Sequence, residues 1–506
     1  MSSKVFSAAT IGLESKVVEV EVDVLTQGIH HFSIVGLPDT SIKEAKDRVA
    51  SAIKNSGFSP PHQSGRITVN LAPADLPKIN PLYDLPMALG VLMATNQLNF
   101  DYRKKIFLGE LSLDGRLRSV QGVLPIALMA KNLGFQEMYL PKDNAAEASV
   151  VKDLKIVPVE TLFSLAKHLL GEKKISYFSF PEREKLFQNN QWKVDMKYIK
   201  GQEQAKRALE IASAGGHNIL LNGPPGSGKT LLAKTVPSIL PRLTLEESLE
   251  ITKIFSVSGN LSKDISLITQ RPFRSPHHSA SAVSLIGGGS YPKPGEISLA
   301  HRGVLFLDEF AEFPRNVMEN LRQPLEDGIV TVSRAKGTLK FPAKFILIAA
   351  MNPCPCGNAT DPEKICTCSP QQIINYQRKI SGPILDRIDL QIEVPRLKFE
   401  KLQEDGQAES SAQIRKRVEK ARFIQKRRFK NTKIITNSEM SSQEIKKFCP
   451  LDNLSIQLLK KAVNSLNLSA RAYYRIIKIA RTIADLSGEE NILSQHIAEA
   501  VQYRFK

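Results

Sequence analysis

The chain has 506 residues, 42% of them hydrophobic and 24% charged, an ordinary balance for a soluble protein and enough for roughly three domains. No apolar run approaches the roughly 18 residues of a membrane span, and the amino terminus lacks the charged and apolar regions of a signal peptide; the expected location is the cytoplasm, with no membrane partner. Net charge is +18, from 69 Lys+Arg against 51 Asp+Glu, an excess that favours a polyanionic partner.

Residues 1–172 read as α+β. Val18 to Val24 alternates valine with acids, the period of a half-exposed strand. Ser41 to Gly57 predicts an amphipathic helix with Ile42, Ala45, Val49, Ala52 and Ile53 on one face. Arg66 to Leu71 predicts a strand, Asp84 to Ala94 a buried helix, and Lys105 to Val120 a hairpin turning at Asp114-Gly115. A polar, Lys-rich stretch, 173–195, reads as a linker. Residues 196–398 alternate strands and helices, as a parallel sheet covered on both faces requires. Residues 399–506 read as helical and basic.

Within the third segment, Gly223-Pro224-Pro225-Gly226-Ser227-Gly228-Lys229-Thr230 fits the P-loop pattern between an apolar strand and a helical run. Its glycines let backbone N–H groups converge on phosphate oxygens at a helix N-terminus. Lys229 can then reach the β/γ-phosphates of ATP, and the Thr230 hydroxyl can ligate Mg²⁺. Gly303-Val-Leu-Phe-Leu-Asp308-Glu309 is a buried strand ending in two acids. Asp308 can hold Mg²⁺ through water, and Glu309 can polarise an attacking water, so the pair points to hydrolysis. Between these motifs, His277 and His278 stand adjacent on a Pro-bounded loop and lack the i,i+4 spacing of a helical metal pair.

Cys354, Cys356, Cys366 and Cys368 form two C-x-C pairs. Four thiolates suit tetrahedral Zn²⁺, although C-x-C is tighter than the usual C-x₂₋₄-C; free thiols and redox pairing are the alternatives. Cys449 stands apart and reads as a small buried hydrophobe. Nine cations, Arg415, Lys416, Arg417, Lys420, Arg422, Lys426, Arg427, Arg428 and Lys430, accompany apolar Ile414, Val418, Ala421 and Ile424 at helical spacing. They predict a helix with a cationic outer face, either merely solvated or contacting nucleic acid.

Gly201-Gln-Glu-Gln-Ala-Lys, Gly215-Gly-His-Asn, Arg271-Pro-Phe-Arg-Ser-Pro-His-His, Gly295-Glu-Ile-Ser-Leu-Ala-His and Leu321-Arg-Gln-Pro-Leu-Glu-Asp-Gly resemble the YifB/ComM family of magnesium-chelatase-like AAA+ ATPases. The resemblance implies an α/β AAA+ P-loop domain with a parallel sheet and a helical lid, and it runs over nearly the whole chain. It implies a homo-oligomeric, hexameric ring that acts on single-stranded or branched DNA as a branch-migration helicase. It further assigns Asn352 as the sensor-1 residue that orients water, Arg387 as an arginine finger, Arg471 as sensor 2, and 198–202 as lining of the adenine pocket. Residues 273–289 resemble the helix-2 insert of the chelatase branch, and 329–341 a pore hairpin with Arg334 and Lys336 set for phosphate or solvent. Residues 66–172 resemble the Lon-type peptidase (ribosomal S5-type) fold. There the nucleophile and base positions fall on Leu82 and Pro125, which can do neither task, so no peptidase activity is expected. The rival functions are a tetrapyrrole chelatase ATPase and a protein-remodelling ATPase that uses no nucleic acid.

Overall fold

A computed structural model of the chain describes residues 2–25, 31–36, 42, 44–63, 65–76, 78, 81–179, 192, 194–263, 265–289, 291–334, 337–397, 408–466 and 468–504. These form two compact units, one of residues 1–189 with 248–268, the other of 190–247 with 269–506.

The first unit opens with the antiparallel pair β1 (Ser2–Ile11) and β2 (Glu14–Leu25). Val18, Val20, Val22 and Val24 are buried and the acids between them are not, as the alternation requires. β3 (His31–Val35) and β4 (Arg66–Ala72) complete a sheet of order β1-β2-β4-β3. Helix α1 (Ala45–Asn55) buries the predicted apolar face, with Ile42, Ala45, Val49, Ala52 and Ile53 wholly inaccessible; Ser41 lies outside the described residues. Helix α2 (Asp84–Ala94) is buried along almost its full length. At its start the Asp84 carboxylate accepts from Arg48 Nε at 2.9 Å and from the Leu111 amide at 3.1 Å. Burial nevertheless pushes the Asp84 pKa up to about 6 against the pull of Arg48.

The predicted hairpin at 105–120 is shorter than expected. Its first residues, β5 (Lys105–Phe107), pair in parallel with β6 (Glu137–Pro141), which pairs in turn with β7 (Lys155–Val159). Only Glu110–Leu111 and Leu117–Arg118 form the hairpin, around the Asp114-Gly115 turn. The Leu108 amide is already committed to the Tyr139 carbonyl, at 2.9 Å, so the ladder cannot extend backwards.

Residues 248–268 also belong to this first unit, although they lie between the P-loop and the acid pair in sequence. Helix α3 (Val123–Asn132) shows how they are held. The Gly122 amide bonds the Ser256 carbonyl at 3.2 Å. Glu147, buried, accepts from the Leu124 amide at 2.8 Å and from Asn144 Nδ2 at 3.5 Å. Lys263 pairs with Asp143 at 2.6 Å.

The second unit is built on a five-stranded, all-parallel sheet of β8 (Ile219–Asn222), β9 (Phe273–Arg274), β10 (Val304–Leu307), β11 (Ile346–Met351) and β12 (Leu390–Glu393), in the spatial order β9-β10-β11-β8-β12. The first of these in sequence thus lies between the fourth and fifth, and strand order reverses beside it, the switch point at which open α/β sheets bind ligands. Helices α4 (Glu203–Gly215) and α5 (Lys229–Ile239) flank the sheet. The longer carboxyl-terminal helices are α6 (Ser411–Arg428), α7 (Asn453–Ser465), α8 (Ala470–Ser487) and α9 (Ser494–Gln502), with a short helix, Ser442–Phe448, between the first two. One core joins sheet residues Ile219, Phe306 and Ile348 to Leu209 and Leu232 and to lid residues Ile414, Val418, Ile476 and Ile483.

The cationic surface of α6 is narrower than its composition implies. Arg422 donates to the Ser213 carbonyl at 2.9 Å, Arg415 to that of Ser238 at 3.2 Å, and Arg417 and Arg428 pair with Glu210 and Asp485. These four arginines fasten the helix to the unit. Lys416, Lys420, Lys426, Arg427 and Lys430 remain exposed. Among the described residues no helix is long and apolar enough to cross a membrane.

Candidate active site

The P-loop joins the carboxyl end of β8 to α5. Gly226 and Gly228 take φ of +78° and +91°, values that L side chains resist, so only glycine turns the backbone tightly enough to aim successive amides inward. Helix α5 begins at Lys229, adding the positive end of its dipole. The Lys229 ammonium bonds the carbonyls of Gly223 and Pro224 at 2.6 and 2.9 Å and lies 3.3 Å from Asn352 Oδ1. Burial lowers its pKa to about 8, with Asp308 pulling the other way. The Ser227 hydroxyl is buried and has no partner among the described residues, a polar atom left over in the cradle.

Opposite the loop, the Thr230 hydroxyl donates to Asp308 Oδ2 at 2.7 Å, and the Glu309 amide donates to Asp308 Oδ1 at 2.9 Å. Glu309 adopts a left-handed backbone, φ 52° and ψ 44°, uncommon for a residue other than glycine. Its side chain, 56% exposed, reaches His278. Gln202, also left-handed, donates to the Pro395 carbonyl at 2.7 Å and the Ser227 carbonyl at 3.3 Å, which sets the 198–202 segment against the P-loop. Tyr198 beside it is exposed. A hydroxyl and a carboxylate within bonding distance, next to a buried ammonium and a turn of free amides, are the donor set that Mg²⁺ and a triphosphate require.

Arg387 lies apart from this cluster. Its side chain is 9% exposed, paired with Glu326 and donating to the Pro383 carbonyl at 2.7 Å. Arg471 is exposed and stands 3.9 Å from the same Glu326 oxygen. Sequence reasoning named both arginines and missed the carboxylate between them; Glu326 sits in the quoted Leu321–Gly328 block, and only folding brings it there.

The four cysteines converge. The Cys354 sulfur lies 3.4 Å from that of Cys356 and 3.8 Å from that of Cys366, and Cys356 and Cys366 are 3.6 Å apart. All four sulfurs fall within 4.8 Å of one another, and none is joined in a disulfide. A tetrahedron of ~2.3 Å Zn–S bonds has edges of about 3.8 Å, so this quartet has the dimensions of a zinc centre. Backbone N–H groups of Asn358 and Thr367 aimed at the Cys356 sulfur lower its pKa to about 5. The loop turns at Gly357, where a Cβ would come within 2.7 Å of Pro225 Cδ, so the cysteine loop rests directly on the P-loop.

Arg334 is exposed on its hairpin, while Lys336 lies outside the described residues. In the first unit Leu82 and Pro125 are buried.

A P-loop at the switch point of a parallel sheet, facing an acid pair one strand beyond its neighbour, defines an ATPase of the AAA+ class. The profile of magnesium chelatase, subunit ChlI, matches residues 195–402, that of subunit ChlI of Mg-chelatase 20–144, and that of the ChlI C-terminal region 408–504. The chain is similar to Competence protein ComM of Haemophilus influenzae, at 46% identity over 503 residues, which are 99% of this chain and 97% of that one. It is 42% identical to YifB of Escherichia coli over 512 residues, again 99% and 97% of the two chains. It also matches Lon protease 2 of Bacillus subtilis at 31% identity over 154 residues, 28% of this chain and 26% of that protease. The chain belongs to the ComM/YifB family of magnesium-chelatase-like AAA+ ATPases.

Proposed function

We propose that this chain is the subunit of a cytoplasmic, ring-forming motor that couples Mg²⁺-dependent ATP hydrolysis to the movement of single-stranded or branched DNA. The observation that carries the reading is the near-full-length similarity to a competence protein; the +18 charge supports it.

Thr230 and Asp308 would hold Mg²⁺, which when bound draws charge from the phosphate oxygens. Lys229 exchanges its loop carbonyls for phosphate oxygens and neutralises them. Asn352 orients the water, and Glu309 accepts its proton as the Pγ–O bond breaks. Arg387 supplies positive charge at the γ-phosphate of a neighbouring subunit, and Arg471 in the lid serves as the sensor-2 cation. The cysteine quartet binds a structural zinc that stiffens the loop between Asn352 and the P-loop. The first unit serves as a scaffold without peptidase chemistry, since Leu82 and Pro125 offer neither nucleophile nor base.

The family profiles favour a second reading, a chelatase-type ATPase that drives metal insertion. One experiment separates the two. The DNA-motor reading expects turnover stimulated by a four-way junction or a single-stranded oligonucleotide, with stimulation falling steeply as salt rises. Lys229→Ala should lose nucleotide binding and all turnover. Turnover indifferent to DNA at low salt would end the DNA reading while leaving the ATPase.

A further inference from the structure

Helix α6 carries a solvent stripe that the nucleotide site does not use. Lys416, Lys420, Phe423 and Arg427 follow one another at spacings of four, three and four residues, which places them on one face. All four are exposed, Phe423 to 62%. Lys426 flanks the stripe and Lys430 follows the end of the helix, both exposed as well. The inward face holds Ile414, Val418, Ala421 and Gln425, all buried.

The charge on this stripe is unmatched. Among the described residues, Lys416, Lys420, Lys426, Arg427 and Lys430 form no ion pair, whereas Arg417 and Arg428 on the same helix meet Glu210 and Asp485. The one acid in the helix, Glu419, accepts from the Arg242 amide at 3.4 Å, and Arg242 is itself exposed. Lys416 and Lys420, four residues apart, repel each other. The helix dipole favours cations in the last turn, which accounts for Lys426 and Arg427 but not for Lys416 and Lys420. An anion from outside the chain would relieve the repulsion.

Phe423 says which anion. A lone exposed phenylalanine is ordinary, but this one is centred in a row of unpaired cations. Cations that track phosphates, interleaved with an aromatic face on which a base stacks, are how unpaired strands are held. A duplex keeps its bases stacked inside and can use only the cations. From Lys416 to Arg427 the helix rises about 16 Å, room for several nucleotides.

We propose that the outer face of α6 is a binding site for single-stranded DNA, in which Lys416, Lys420, Arg427 and Lys430 contact phosphates and Phe423 stacks on a base. The proposal rests on the DNA reading above and gives that reading a contact surface in the lid.

The test is fluorescence anisotropy of a labelled single-stranded oligonucleotide with the full chain and Mg-ATPγS across a range of salt. Replacing Lys416, Lys420, Arg427 and Lys430 together by glutamine should flatten the slope of log affinity against log salt by about three, at ~0.7 per phosphate contact. Phe423→Ala should weaken binding about fivefold or more at every salt and leave that slope as it is, and Phe423→Trp should restore the affinity. Both kinds of variant should bind a fluorescent ATP analogue and keep their oligomer in light scattering. If the fourfold variant does not, Lys420→Gln alone, with a slope change of about 0.7, takes its place. Variants that keep wild-type slope and affinity overturn the site and leave the DNA reading standing. A flattened slope with Phe423→Ala at wild-type affinity upholds the phosphate track and overturns the stacked base. An oligomer lost in Phe423→Ala makes the face a contact between copies and overturns the proposal. A wild type that binds no oligonucleotide at low salt ends the DNA reading itself, and this site with it.

Discussion

Glu326 is the residue around which Arg387 and Arg471 gather. Arg387 pairs with it and Arg471 approaches the same oxygen, and the Arg387 guanidinium beside Glu326 holds that carboxyl below its ordinary range. A guanidinium that serves a neighbour's γ-phosphate must exchange this carboxylate for the phosphate. The exchange of one charge-assisted bond for another makes it feasible. Arg387→Ala is therefore expected to spare ATP binding and to lower turnover by ~10³-fold or more, the scale of an arginine finger. Mixing it with Glu309→Gln subunits should restore part of the activity, because each variant supplies what the other lacks. Mixed assemblies that stay as slow as either parent would remove the role in trans.

The cysteine loop shows how an element reaches beyond its own residues. It starts directly after Asn352, closes on four sulfurs and rests at Gly357 on Pro225 of the P-loop. A metal held there would stiffen the loop after Asn352 and the P-loop together. The purified protein should carry about one zinc per protomer, as a Cys₄ site takes. Stripping it with a chelator, or Cys366→Ser with Cys368→Ser, should lower kcat and the melting temperature together, and metal analysis that finds no zinc would dispose of the centre. In α6, four arginines that composition assigned to a cationic exterior are spent on carbonyls and carboxylates of the same unit. Periodicity placed the apolar face correctly, but it cannot say whether a long side chain on the flank reaches outward or folds back.

At the scale of the whole molecule, the proposed mechanism needs more than one protomer, since it draws the nucleotide cradle and the guanidinium from different subunits. The ATPase rate per protomer should therefore fall on dilution, following loss of the oligomer in light scattering. A rate unchanged in a verified monomer would contradict it. The P-loop, the strand ending in Asp308 and Glu309, the valine strand and the buried helices were legible in the sequence because each is encoded in a local pattern. Backbone conformation needs glycine at fixed places, and burial imposes a period of two or of 3.6 residues. Several contacts were not legible: His278 on Glu309, Glu326 between Arg387 and Arg471, β5 pairing with a strand some 30 residues on, and residues 248–268 joining the first unit. The sequence alone determined the chemistry available, a phosphate cradle, an acid pair and a thiol quartet, because each is set by residue type at short spacing. Only the tertiary structure decided which carboxylate restrains which cation and which histidine reaches Glu309, because such meetings depend on distances closed by the fold between residues that nothing local connects.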